Sequence, residues 1–183
     1  LNGVQKAGTI GGDSTARLLR QARLDDNIKA VVLHVDSPGG SAFASEVIRN
    51  EVELLKAEGK PVVAKMGTYA ASGGYWISAS ADKIVASPST ITGSIGVFGM
   101  FMTYENTLDY LGLHTDGVAT TEVAGISPSR ALDPRVGQII KGRIEHSYAH
   151  FLHLVATERT LDPKRVNDIA LSRSRHGPHT LDM

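Results

Sequence analysis

Apolar runs and helical spacings alternate along this chain. Ala16, Leu19, Ala22 and Leu24 recur at roughly helical intervals behind Asp13 and Ser14, either of which is placed to cap that helix, and Asp25-Asp26-Asn27 closes it. The apolar stretch 28–35 follows at once and reads as a buried strand. Helical spacing returns with Phe43, Val47, Val52, Leu54 and Leu55 and stops at Gly59-Lys60-Pro61, after which residues 62–66 read as a second buried strand. A short helix over 72–81, a strand over 83–86 and a helical stretch over 104–111 continue the alternation. That order predicts an α/β fold, a mainly parallel sheet covered by helices. Farther on, Val136, Ile139, Ile140, Ile144, Tyr148, Phe151, Leu152 and Val155 trace one long amphipathic helix over 134–159, suited to packing or assembly. Asp162-Pro163-Lys164-Arg165 opens a second, short helix, and residues 172–183, polar, basic and aperiodic, are expected to be a disordered tail.

A chain of 183 residues is the size of one domain and can bury a single core. Its 19 basic and 19 acidic residues cancel, so no long-range field favours nucleic acid or an anionic membrane surface as partner. With no cysteine, disulfides, thiolate zinc sites and a thiol nucleophile are excluded, while the compartment stays open. The weakly polar stretch 91–102 is interrupted by glycines and hydroxyl residues, and it falls well short of the roughly 20 apolar residues a spanning helix needs. The sequence begins at Leu1 without a basic n-region or apolar h-region and reads as an excerpt from a longer protein.

Against this background the turn Ala70-Ala71-Ser72-Gly73-Gly74-Tyr75 stands out, because an apolar run delivers a hydroxyl onto small residues that let a substrate backbone come close. The amides opening the next helix point toward whatever that hydroxyl attacks. Taken alone, Ser-Gly-Gly more often just joins a strand to a helix. A second turn changes the balance: the run 28–35 ends in Asp36-Ser37-Pro38-Gly39-Gly40-Ser41 before another helix. One turn offers the hydroxyl while the other offers free backbone N–H groups, as an oxyanion hole requires. Ser41 is better assigned as the cap of its helix, Tyr75 and Trp76 as core, and Lys65 as a solvent-facing strand-end lysine. His146, His150 and His153 share a helix face, yet no carboxylate or cysteine completes a metal set, so they are read as surface or packing residues, and no metal or cofactor is expected.

The ordered set Gly11-Gly12-Asp13-Ser14-Thr15, Asp36-Ser37-Pro38-Gly39-Gly40, Ala44-Ser45-Glu46-Val47-Ile48-Arg49, Met66-Gly67, residues 70–76 and residues 88–97 resembles the bacterial signal peptide peptidase A family, also called protease IV. The resemblance covers residues 8–170 and is strongest to the carboxy-terminal repeat of the long, two-repeat form. It implies a fold shared with the Clp protease subunit and the crotonases, built of stacked β-β-α units, and a serine–lysine dyad in which a desolvated, neutral lysine accepts the serine proton. Carried onto this sequence, the nucleophile is Ser72 and the oxyanion amides are those of Gly39 or Gly40 and of Gly73. The glycine-bearing segment around Ile95, Gly96 and Val97 is a candidate substrate-binding strand. The resemblance further implies peptide substrates that are remnants of cleaved signal peptides, a homo-oligomer, and a place on the periplasmic side of the bacterial inner membrane through an anchor outside this segment.

The lysine does not carry over. In one-repeat members it lies just ahead of a Ser-Pro-Ser-Arg-like loop; here that loop is Ser127-Pro128-Ser129-Arg130, and no lysine occurs among residues 121–126. In the long form the dyad is split between repeats, so the resemblance implies that another repeat or subunit supplies the base. Residues 95–99 hold no histidine for a Clp-type triad. Two further departures are a strand expected ahead of Gly11-Gly12, without which the sheet lacks an edge, and the tail 171–183, which does not match the family pattern. Two other functional classes stay open: a crotonase-like acyl-coenzyme A enzyme using carboxylates, and a non-catalytic assembly domain built on the long helix.

Overall fold

The computed structural model describes residue 3, residues 9–121, residues 123–171 and residues 175–176. Helix α1, Gly12–Leu24, is capped by Gly11 in extended backbone and not by Asp13 or Ser14. The Thr15 N–H already donates to Gly11 O (3.0 Å), which closes the first turn at Gly11 and leaves both predicted caps inside the helix. Ser14 Oγ donates back to Gly11 O, and Asp13 sets its charge in the first turn, where the helix dipole favours an anion.

Strand β1, Val31–Ser37, starts later than the apolar run because the Ile28 N–H is spent on Asp25 O in the turn that ends α1. Helix α2, Ala42–Ala57, is capped as expected by Ser41, whose side chain accepts the Ala44 N–H (3.2 Å). Strand β2, Val62–Ala71, outruns its predicted end and reaches the candidate nucleophile directly. Helix α3, Gly73–Ala79, is followed by β3, Lys83–Val85, and by β4, Ile91–Gly93, which the sequence did not mark as a strand of the sheet. Helices α4 (Glu105–Tyr110), α5 (Pro134–Glu158) and α6 (Pro163–Leu171) complete the helical elements. The long amphipathic helix is thus present within a residue of its predicted bounds.

β2 is the hub of the sheet. It pairs in parallel with β1 from Val31↔Val62, with β3 at Val63–Lys65, and with β4 at Tyr69–Ala71. Among the described residues β1 has no other strand neighbour. Within the tail expected to be disordered, Arg175–His176 pair antiparallel with β4 as strand β5; its other residues 172–174 and 177–183 lie outside the described residues.

The chain divides into two compact units, Leu1–Gly96 with Ala149–Met183, and Val97–Tyr148. In the first, helices cover one face of the sheet. Val62, Ala64 and Met66 alternate inward along β2 and are buried, meeting Leu19, Ile48, Val52 and Leu55 on one side and Tyr75, Trp76, Phe151 and Val155 on the other. The opposite face of β1 to β3 is open: Val32 is 69% and Val85 53% exposed, and His34, Lys65 and Lys83 share their exposure. The stretch 28–35 is therefore a half-buried strand, unlike the both-face burial usual in parallel sheets. Glu51, almost fully buried, links α2 to α1 by accepting from Arg20 Nε (2.9 Å) and Arg23 Nε (3.2 Å). The second unit holds α4 and most of α5. Among its described residues Val136 is the only buried large apolar side chain, while Phe98, Met100, Met102 and Tyr110 are exposed.

Candidate active site

Ser72 sits between β2 and α3 with φ 51° and ψ −118°, a conformation non-glycine residues rarely hold. Both sides of the residue are anchored. Its N–H donates to Gly93 O of β4 (2.9 Å), and its carbonyl accepts the Trp76 N–H of α3 (2.9 Å). Surrounding structure thus over-determines the strained backbone.

Three glycines let the Ser72 turn and the neighbouring turn approach each other. A side chain at Gly39 would place its Cβ 2.7 Å from Ser72 Cβ and 3.0 Å from Ser72 Oγ, and Gly39 itself has φ 117°. A Cβ at Gly73 would fall 2.5 Å from Ser45 Oγ and 3.3 Å from the Gly40 nitrogen, and one at Gly74 2.6 Å from Ser37 O. The two glycine-rich turns recognised in the sequence therefore lie against each other, with Ser72, Gly39, Gly40 and Gly73 brought together. The Gly39 N–H is occupied, donating to Ser37 Oγ (3.2 Å). Neither the Gly40 nor the Gly73 N–H has an acceptor among the described residues, and the side-chain position of Gly40 faces open space. A cavity of about 40 Å³ lined by Gly39, Gly40, Gly73, Ser41 and Ser45 lies beside the turn.

The other serines are committed elsewhere: Ser37 holds the Gly39 turn, and Ser41 caps α2. No lysine or histidine among the described residues hydrogen-bonds Ser72 Oγ. Lys65 stands exposed on the open sheet face opposite His34 of β1, and Lys141, in the second unit, lies 3.7 Å from Glu145. Ile95 turns its side chain into the core at 2% exposure, whereas the side-chain position of Gly96 borders open space. Val97 opens the second unit and is half-buried.

The helix carrying the site is fastened by Trp76, which is buried as expected. Its Nε1–H donates to Glu46 Oε2 (2.7 Å), its ring lies 4.5 Å from Phe151, and His150 meets it edge-on at 5.4 Å, a packing role for that histidine. Arg49 grips Glu46 through Nε (2.9 Å) and Nη2 (2.7 Å) and holds its carboxyl below the usual carboxylate range; burial opposes this, and the Trp76 hydrogen bond adds to it. Sequence reading passed over Thr90 and Thr92. Both are fully buried and donate to backbone carbonyls of β2, Thr90 to Gly67 (2.8 Å) and Thr92 to Ala70 (2.7 Å). The place of residues 88–97 among the motifs of the resemblance was the only signal available for them.

In the second unit, Arg130 of the Ser-Pro-Ser-Arg loop lines a cavity of about 140 Å³ with Phe101, Ile126, Leu132 and Val136. Ser127 and Ser129 share a 2.8 Å hydrogen bond there.

Residues 54–178 match the family described as Peptidase family S49. The chain belongs to peptidase family S49. This S49 chain is 53% identical to "Protease 4" of Salmonella typhi over 93% of its own length, and spans 28% of that protein. It is 33% identical to "Serine protease SPPA, chloroplastic" of Arabidopsis thaliana over 85% of its length and 23% of the relative's. The resemblance read from the motifs, to the protease IV family, is thereby borne out. Among solved structures, a point mutant of ClpP1 from Listeria monocytogenes superposes with a TM-score of 0.56 over 89% of this chain and 72% of that one at 15% identity. That likeness establishes the Clp-like fold of the S49 chain and extends no further.

Proposed function

We propose that this chain is the serine-bearing part of a signal peptide peptidase A-type serine endopeptidase, with Ser72 as nucleophile. The observation that carries this reading is the strained Ser72 held against Gly39 and Gly73 where β2 runs into α3. Ser72 Oγ attacks a peptide carbonyl carbon, and the oxyanion that forms accepts hydrogen bonds from backbone amides. With the Gly39 N–H already donating to Ser37, the pair Gly40 and Gly73 is the better donor set. Collapse of the intermediate expels the amine half of the peptide and leaves an acyl-enzyme, which water then hydrolyses. The hydroxyl proton goes to a neutral lysine amine on another repeat or subunit and is handed from it to the departing amine nitrogen, in keeping with there being no lysine hydrogen-bonded to Ser72 among the described residues. The Gly96 backbone, open on one side, suits an extended peptide laid along it. Substrates of this type are cleaved signal-peptide remnants, met on the periplasmic side of the bacterial inner membrane by a homo-oligomer whose anchor lies outside this segment. No described helix is long and apolar enough to cross a membrane.

The test is intact-mass measurement after exposure to a fluorophosphonate serine probe, on this chain alone and together with the lysine-bearing repeat, with Ser72→Ala alongside. Labelling is expected to be slow for the chain alone and faster by about two orders of magnitude or more in the complex, since nucleophile and base act as a unit. It should vanish with Ser72→Ala. Rapid peptidase turnover by the chain alone, abolished by that substitution, would overturn the split dyad; a complex that hydrolyses peptides with Ser72 unlabelled would overturn the nucleophile.

A further inference from the structure

We propose that Asp36 is a positioning residue whose carboxylate ties the Gly39–Gly40 turn to the strand that carries Ser72. The inference rests on the reading of Ser72 as nucleophile and adds a determinant of its geometry. β1 and β2 run in register from Val31↔Val62 to Val35↔Met66, and then two steps on β1, to Ser37, match four on β2, to Ala70. The two extra residues form a bulge at Gly67-Thr68-Tyr69. At this bulge β2 also exchanges neighbours, pairing with β3 through Lys65 and with β4 from Tyr69 onward. A bulge bends its strand and re-aims the residues beyond it. Ser72 lies just beyond this one, three residues past Tyr69.

Asp36 fastens this bulge from the facing strand. Its Oδ1 accepts the Tyr69 N–H at 2.9 Å. Its side chain lies so close over Gly67 that a Cβ there would fall 2.8 Å from Asp36 Cβ and Cγ and 2.9 Å from Oδ1. From the other side Thr90 Oγ1 donates to Gly67 O. The bulge is thus clamped at both ends, and the carboxylate doing the clamping immediately precedes Ser37-Pro38-Gly39-Gly40 in the chain. Any shift of Asp36 relative to Tyr69 moves the turn bearing the Gly40 amide relative to Ser72 and Gly73, and such donors act only within a few tenths of an ångström of their proper place. Side-chain exposure fits the role: Asp36 lies at the surface, where burying it contributes little to the core.

The experiment follows backbone amide exchange residue by residue by NMR in the wild-type chain, Asp36→Asn and Asp36→Ala, together with thermal unfolding and the rate of Ser72 labelling in the complex with the lysine-bearing repeat. Asp36→Ala is expected to speed exchange of the Tyr69 amide by about tenfold or more, because its acceptor is gone. The Gly39, Gly40 and Gly73 amide resonances should shift together, and labelling per folded molecule should slow by about tenfold or more. Asp36→Asn keeps an oxygen acceptor and should stay within about twofold of wild type on every readout. Should Asp36→Ala fail to fold, Asp36→Glu displaces the acceptor by one methylene and makes the same test. A Tyr69 amide that exchanges at the wild-type rate in Asp36→Ala overturns the proposal, as does a lowered Tm with unchanged labelling. A wild-type Ser72 that no probe labels in the complex overturns the nucleophile instead, and the exchange data still decide the coupling.

Discussion

Ser72 carries a side chain where the backbone suits glycine, and the strain can be separated from the loss of the hydroxyl. Ser72→Ala removes the hydroxyl but keeps the Cβ at φ 51°; Ser72→Gly removes both. The glycine variant is expected to be more stable than the alanine variant by about 1 kcal/mol or more, read from denaturant unfolding, and both should resist the probe. Equal stabilities would mean that the conformation is not strained. Gly39→Ala tests the neighbouring turn, since its Cβ has no space beside Ser72 Cβ and φ 117° disfavours any L side chain. A stability loss of about 1–3 kcal/mol with loss of labelling is expected. Lys65→Ala, on the open face, should alter stability by no more than about 0.5 kcal/mol and leave labelling unchanged, which a substitute base could not do. At this scale the sequence marked Ser72, the proposed nucleophile, and both glycine turns, because small residues following an apolar run are a local pattern. It did not show the strain, the Ser37–Gly39 hydrogen bond or the clamp of Asp36 on Tyr69, because these depend on which strands lie side by side.

Helices α2 and α3 are joined through Glu46, which takes the Trp76 indole N–H and the Arg49 guanidinium at once. Arg49 also reaches Ser80 Oγ at 3.1 Å, beyond the end of α3. The Glu46 carboxyl has its pKa lowered from the ordinary 4.5, with Arg49 the largest cause. A lowered folded-state pKa means that the stabilisation is present above the unfolded value and is lost as pH falls through the folded one. Wild-type Tm is therefore expected to drop as pH is taken below about 4.5, with Glu46→Gln losing less over the same window although starting lower. Trp76 fluorescence should follow the change. Parallel Tm profiles for the two proteins would exclude Glu46 as a contributor to acid sensitivity. Among elements, α2 and α5 were legible because each sustains helical periodicity over several turns, and Ser41 supplied the start of α2. β4 escaped notice because three residues ending in glycine, Ile91 to Gly93, carry no usable period. The far half of β2 escaped because the bulge at residues 67–69 interrupts the alternation that identifies a strand.

The two units differ in what they bury, and their local stabilities should differ with it. The first has two apolar clusters anchored on Met66, Trp76 and Phe151, and on Ile48, Val52 and Leu55. The second, by its described residues, has Val136 alone fully inside, while Phe98, Met100 and Met102 lie out in solvent along an irregular segment. Composition did not reveal this contrast, since the apolar residues of 97–126 are as plentiful as those of a core and only the fold decides that they stay uncovered. Local opening free energy follows buried apolar contact, so segments that bury little open far below the global unfolding free energy. Amides of Val62–Ala71 are therefore expected to exchange about a thousandfold or more slowly than those of residues 97–133, and a sparing amount of protease should cut first within 97–133. Binding of the proposed lysine-bearing repeat gives a sharper version of the test. Exposed apolar side chains gathered along one segment mark surfaces that meet another molecule, so protection of residues 97–113 should rise in the complex. Early cuts within α2 or β2, or equal protection across both units in the free chain, would show that the second unit is held by contacts other than apolar burial.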